Sequence, residues 1–146
     1  MLKPRPLVIA ATLLAATAAL AHQGVQNATV MARMEGMSAI ASHMKTLGDM
    51  AKGKIPFDAQ TAQAAANGVA DQADLIPSLF EQPETDPKSE ALPTIWASYP
   101  DFTTKAQATA TAARQAAGAL DQPQQLATAL SNIGATCKSC HAAYRQ

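Results

Sequence analysis

Five consecutive residues near the end of the chain, Cys137, Lys138, Ser139, Cys140 and His141, carry its strongest chemical signal. Two thiols three positions apart, with an imidazole abutting the second, is the spacing at which a c-type haem is attached. Residues three and four apart share one face of a helix, so Cys137, Cys140 and His141 can address one planar group. The thiols would add across the two vinyl groups, and the imidazole would become the proximal iron ligand. Other chemistries use parts of this pattern. A dithiol redox motif belongs beside a strand–helix–strand unit, which the sequence does not show. A structural zinc site needs a fourth ligand and usually a second ligand pair, and the chain has only 2 cysteines. A plain disulfide leaves the adjacent His141 without a role.

The elements that must present this motif read as helices. With 146 residues the chain is one domain by length. It is rich in alanine and only 4% aromatic, a composition that favours helix over sheet. So few large side chains make a thin core, and a buried haem would supply missing apolar surface. Formal net charge is zero and no basic stripe is present, which argues against a nucleic-acid partner.

Residues 1–21 read as a cleaved signal peptide. Lys3 and Arg5 precede a largely apolar run of fourteen residues from Leu7 to Leu20, and Ala19-Leu20-Ala21 forms a small-x-small cleavage site. Fourteen residues are short for a membrane span, which needs about twenty. The expected mature domain is 22–146, with no membrane span left after cleavage. It holds nine basic against eleven acidic residues, a formal charge of −2. Export to the periplasm agrees with the haem, because bacterial c-type haem attachment occurs outside the cytoplasm.

Val30, Met34, Met37, Ala41, Met44, Gly48 and Ala51 alternate at spacings of four and three, which predicts a first helix over about 25–52. Gly53 is its stop signal, with Pro56 just beyond. Asp58 is the expected N-cap of a second helix running to about Leu75 or Phe80. Its apolar anchors are Val69, Leu75, Ile76 and Leu79, and Pro77 should kink or end it. Residues 81–93, with three prolines and five charges, read as a loop. A short turn at 94–99 carries Trp96. Pro100 then opens a third long helix over about 101–119, and Asp121 and Pro123 start a fourth. Along that last helix Leu126, Leu130, Ile133, Cys137, Cys140 and Tyr144 form one seam, so the haem is expected inside a bundle. The fold class is all-α, an antiparallel four-helix bundle with covalently bound haem.

A haem motif at the extreme C-terminus of such a chain resembles the cytochrome c′ family and its low-spin relatives. The supporting motifs are Arg33-x-x-x-Met37, Ala41-Ser42-His43, the 52–58 segment Lys-Gly-Lys-Ile-Pro-Phe-Asp, Pro93-Thr94-Ile95-Trp96, and Gly134 through Arg145. The resemblance implies one haem c on Cys137 and Cys140, with His141 proximal. It implies that Arg33 pairs with a haem propionate, that Glu90 approaches the propionate edge, and that Arg145 lies near the proximal face. Met34 falls where some members have a polar residue at the haem edge.

Met37 falls at the family's distal position. As a ligand it would give Met/His coordination, suited to outer-sphere electron transfer. As a pocket wall it would leave five-coordinate iron open to nitric oxide or carbon monoxide. As ordinary core it would fill a gap beside Met31, Met34, Met44 and Met50. His43, six residues on, points well around the helix and is expected exposed or partly buried. Gly36 marks a close approach or a tolerated weak point. The chain is expected to serve a periplasmic redox partner or a small gas ligand, and to pair as a homodimer through its first two helices; a sedimentation profile of monomer alone at micromolar concentration would contradict that pairing. No distal acid–base pair for peroxidase chemistry is evident, so it is not expected to be an enzyme.

Overall fold

The computed structural model of the protein describes residues 24–146, so the expected signal peptide (1–21) and His22 lie outside the described residues. Helix α1 spans Ala28–Ala51, α2 Ala59–Leu79, α3 Thr94–Ala97, α4 Tyr99–Ala117 and α5 Leu126–Tyr144, with a 3₁₀ turn at Pro123–Gln125. The four long helices close a ring in which α1 packs on α2, α2 on α4, α4 on α5 and α5 on α1. Among the described residues no strand forms. The one sheet-like feature is an isolated antiparallel bridge between Ala91 and Arg145.

The helix ends follow local chemistry. Asn27 caps α1, its Oδ1 accepting the Val30 N–H at 3.0 Å. The chain leaves α1 through Gly53 at φ +65°, a conformation that favours glycine. Asp58 caps α2 by accepting the Thr61 N–H at 2.7 Å, as expected. The last long helix starts differently from the expectation. Gln122 and Gln125 form a capping box around the 3₁₀ turn, with the Gln125 amide oxygen accepting the Gln122 N–H at 2.7 Å. Asp121 is not the cap.

Helix α2 continues through Pro77 for two residues rather than stopping at it. Side chains from elsewhere satisfy the carbonyls of that final turn. The Tyr99 hydroxyl donates to Pro77 O at 2.6 Å, Arg33 Nε to Leu79 O at 2.8 Å and Trp96 Nε1 to Phe80 O at 2.8 Å.

Two apolar assignments made from periodicity change. Leu75 is 49% exposed, and the buried face of α2 is made instead by Ala62, Ala65, Ala66, Val69, Ala70 and Ala73 with Ile76. On α1 the buried line is Val30, Arg33, Ile40, Leu47 and Met50, while Met34, Met37 and Met44 are half-buried and Ala41 and Ala51 exposed. The physical reason is that the methionine stripe faces a cavity rather than another helix. The close approach between α1 and α2 is at Gly68, not Gly36. A Cβ at Gly68 would fall inside contact distance of the His43 ring, whereas one at Gly36 would sit 3.6 Å from Leu79, an ordinary contact.

Candidate haem site

A cavity of about 630 Å³ opens between α1 and α5, floored by α4. Its α5 wall carries Cys137, Cys140 and Tyr144; its α1 wall carries Val30, Met34, Met37, Ile40 and Met44. Phe102, Ala106 and Thr109 of α4 form the floor, and Lys88, Ser89, Glu90, Arg145 and His141 form the mouth. Apolar walls with a charged rim match an amphipathic macrocycle, whose ring is apolar and whose carboxylates need water and cations.

The donor set at this cavity fits haem attachment. Cys137 and Cys140 are free thiols, half-buried on the cavity wall. Burial pushes the pKa of each thiol up; for Cys140 the neighbouring Cys137 adds to this and Lys105 opposes it. Burial, and next the Arg145 cation, pull the His141 imidazole below its ordinary value, with Glu90 opposing. A neutral ring keeps a lone pair for a metal. Among the described residues no group of three or more His, Cys, Asp and Glu side chains could hold a metal ion. Joined to a porphyrin, these residues would supply the covalent tether and one axial ligand.

The sequence model described as cytochrome c′ matches residues 28–145. The chain belongs to the cytochrome c′ family. It is 35% identical to cytochrome c-554 of Cereibacter sphaeroides over 152 aligned positions, covering 99% of each chain. Its fold is similar to that of cytochrome c′ from Rhodopseudomonas palustris, with a TM-score of 0.76 and 27% identity over 83% of this chain and 98% of that one. A nitric oxide complex of a cytochrome c prime variant from Alcaligenes xylosoxidans matches with a TM-score of 0.70 and 30% identity, over 81% and 94% of the two chains.

Cytochrome c′ proteins carry one covalently attached haem c, and Cys137 and Cys140 are this member's 2 cysteines. The cavity gathers the other residues proposed from the sequence for the haem site: Arg33, Met34, Met37, Glu90 and Arg145 all line it. Arg33 is 3% exposed and more constrained than a simple propionate partner. Besides the Leu79 carbonyl, it donates through its two terminal nitrogens to Glu84 O at 2.7 Å and Gln82 O at 2.6 Å. Its guanidinium lies 4.5 Å from the Phe80 ring centroid and 5.5 Å from that of Trp96. Burial lowers its pKa, opposed by Glu84. Three of its five N–H groups thus hold the end of α2 and the following loop.

Glu90 and Arg145 form an ion pair at the mouth. Backbone bonds set this pairing: Leu92 N donates to Tyr144 O at 2.9 Å and Gln146 N to Glu90 O at 3.0 Å. The C-terminus is thereby stitched to the 90–92 segment, and the two charges meet because their backbones do.

The loop itself is tied down by a carboxylate the sequence did not mark. Asp86 is buried and accepts the N–H groups of Gln26 at 2.8 Å, Asn27 at 3.1 Å and Lys88 at 2.8 Å. Those bonds hold its pKa below the usual carboxylate range, against the opposing effect of burial. Lys88, at the mouth beside it, was also unmarked. An Asp or Lys in a charged loop carries no sequence signal of its own, and only the fold shows where each lands.

Proposed function

We propose that the protein is a periplasmic monohaem electron carrier in which Cys137 and Cys140 hold the haem, His141 is the proximal ligand and Met37 the distal one. The observation that carries the reading is the place of Met37. It lies half-buried on the α1 wall of the cavity whose other side carries the haem-binding motif, packed against the edge of the core. A thioether there can close the sixth coordination position, and Met/His ligation raises the potential and suits outer-sphere transfer. The rim supplies cations for the propionates through Lys88, through Arg33, and through Arg145 where Glu90 leaves it free.

An acid–base pair of the peroxidase kind finds no support. His43 turns its ring onto Gly68 of α2, and Arg33 is held by carbonyls. Periplasmic placement rests on the leader-like residues 1–21 and on the site of c-type haem attachment. Among the described residues no helix is long and apolar enough to cross a membrane.

The second reading, a five-coordinate receptor for nitric oxide or carbon monoxide, is favoured by the aliphatic and thioether wall around Met37 and by the nitric oxide complex of the Alcaligenes relative. Optical and EPR spectra of the holoprotein, with and without nitric oxide, separate the two. Electron transfer predicts a low-spin spectrum with a weak long-wavelength sulfur–iron band and no response to the gas. Met37→Ala then converts it to a high-spin, gas-binding form. A high-spin wild type that binds nitric oxide as Met37→Ala does would overturn the carrier reading.

A further inference from the structure

The haem-bearing turn of α5 is fastened to α4 at two points, one on each side of the Cys140-His141 pair. Before it, Lys105 Nζ lies 3.3 Å from Ser139 Oγ. After it, the Tyr144 hydroxyl donates to Asp101 Oδ2 at 2.6 Å. The two α4 residues are themselves paired one turn apart, Lys105 Nζ to Asp101 Oδ2 at 3.9 Å. Tyr144 is 6% exposed, and its ring meets Phe102 edge-on at 5.3 Å between centroids and 87° between planes.

We propose that Asp101 and Lys105 are positioning residues for the proximal haem ligand, acting on His141 through Tyr144 and Ser139. Two attachments five residues apart along a helix are separated by roughly 7.5 Å of rise. One attachment leaves a helix free to roll about the contact; two set its rotation as well as its height. Rotation of α5 carries Cys137, Cys140 and His141 together, so it decides how the imidazole and the macrocycle tethered beside it sit against the α1 wall that carries Met37.

The part-buried hydroxyl makes the fastening directional: Ser98 O also lies within reach at 3.5 Å, but the Asp101 carboxylate at 2.6 Å is the nearer and charged acceptor. That carboxylate, aided by burial, pushes Tyr144 up to about 12, so the phenol stays a donor across the ordinary pH range. Lys105 balances the Asp101 charge beside Cys140. Sequence periodicity could place Tyr144 on the core seam. It could not reveal a partner 43 residues earlier.

The inference rests on His141 as the proximal ligand, and the holoprotein tests both separately. EPR g-values and the midpoint potential are measured for Tyr144→Phe, Asp101→Ala, Asp101→Asn and His141→Gly, with thermal unfolding as a check on the fold. Tyr144→Phe and Asp101→Ala are expected to shift the g-values beyond the linewidth or split them into two populations. Asp101→Asn, whose amide oxygen still accepts from Tyr144, should keep the wild-type g-values while the lost charge raises the potential.

Superimposable g-values in Tyr144→Phe and wild type would overturn the proposal, as would an Asp101→Asn spectrum as displaced as that of Asp101→Ala. Should Asp101→Ala fail to fold, Tyr144→Phe, which keeps the ring, decides alone. If His141→Gly leaves the spectrum unchanged, the ligand assignment itself is wrong, a result distinct from failure of the brace.

Discussion

Where α2 meets α4 the bundle is closed, and where α1 faces α5 it is hollow. The closed half is built from alanine: Ala62, Ala66, Ala73 and Ala113 are all at most 1% exposed. Short side chains let two helix backbones approach closely and fill the space between them at interior density. The hollow half carries Met34, Met37, Met44, Cys137 and Cys140, half-buried around about 630 Å³. Flexible, polarisable groups suit a wall that must conform to a rigid macrocycle. One half therefore completes its own core from the chain alone, and the other completes it with the haem.

Removing the haem should break the comparison most severely. Cys140→Ala is expected to yield loose or absent haem and a bundle that loses much of its helicity, because the cavity between α1 and α5 would lose its filling. Circular dichroism and haem content decide it; wild-type helicity with haem retained would mean that the hollow half is self-sufficient.

Overpacking sharpens the contrast at an intermediate scale. Ala113→Leu in the closed half should destabilise the holoprotein by about 1–3 kcal/mol. Met44→Leu on the cavity wall, a near-isosteric change, should stay below about 1.5 kcal/mol. Denaturant unfolding gives both values, and a larger loss for Met44→Leu would reverse the assignment of which half is tightly packed.

The smallest effect concerns the loop that closes the cavity mouth. The folded-state pKa of Asp86 lies below its unfolded value, so its stabilisation is present above the unfolded pKa of about 3.9 and is lost as pH falls through the lower folded value. Asp86→Asn should be less stable than wild type at pH 7 and should lose less stability on acidification below about pH 4. Unfolding midpoints from pH 7 to 3 test this; parallel profiles would show that the carboxylate contributes nothing through its charge.

Much of the fold was legible because it rests on local rules. Asp58 capping α2, Gly53 leaving α1 and the Pro-rich break at 81–93 need only neighbouring residues to be understood. The seam from Leu126 to Tyr144 was legible because one helix face shows its period in sequence. Of the misread positions, Asp121 lost the cap to its neighbours Gln122 and Gln125, and the others depend on how the helices pack. Leu75 looked like an anchor until the alanines of α2 took the buried face. Pro77 was expected to kink or end α2, and the helix runs two residues past it to the Phe80 cap, where Tyr99, Trp96 and Arg33 satisfy the carbonyls. Gly36 and Gly68 are alike as letters, and only the His43 ring distinguishes them.

At the site the division is the same. The attachment chemistry was determined by sequence alone, because two thiols and an imidazole within five residues of one helix require nothing else to share a face. The tertiary structure decided everything that needs two helices to meet. It set Met37 at the edge of the core on a cavity wall, brought Glu90 to Arg145 and bound three donors of Arg33 to the carbonyls of the 79–84 segment. It also joined Asp101 to Tyr144. Hydrogen bonds and close packing act over a few ångströms of space, and separation along the chain says little about which groups come within that reach.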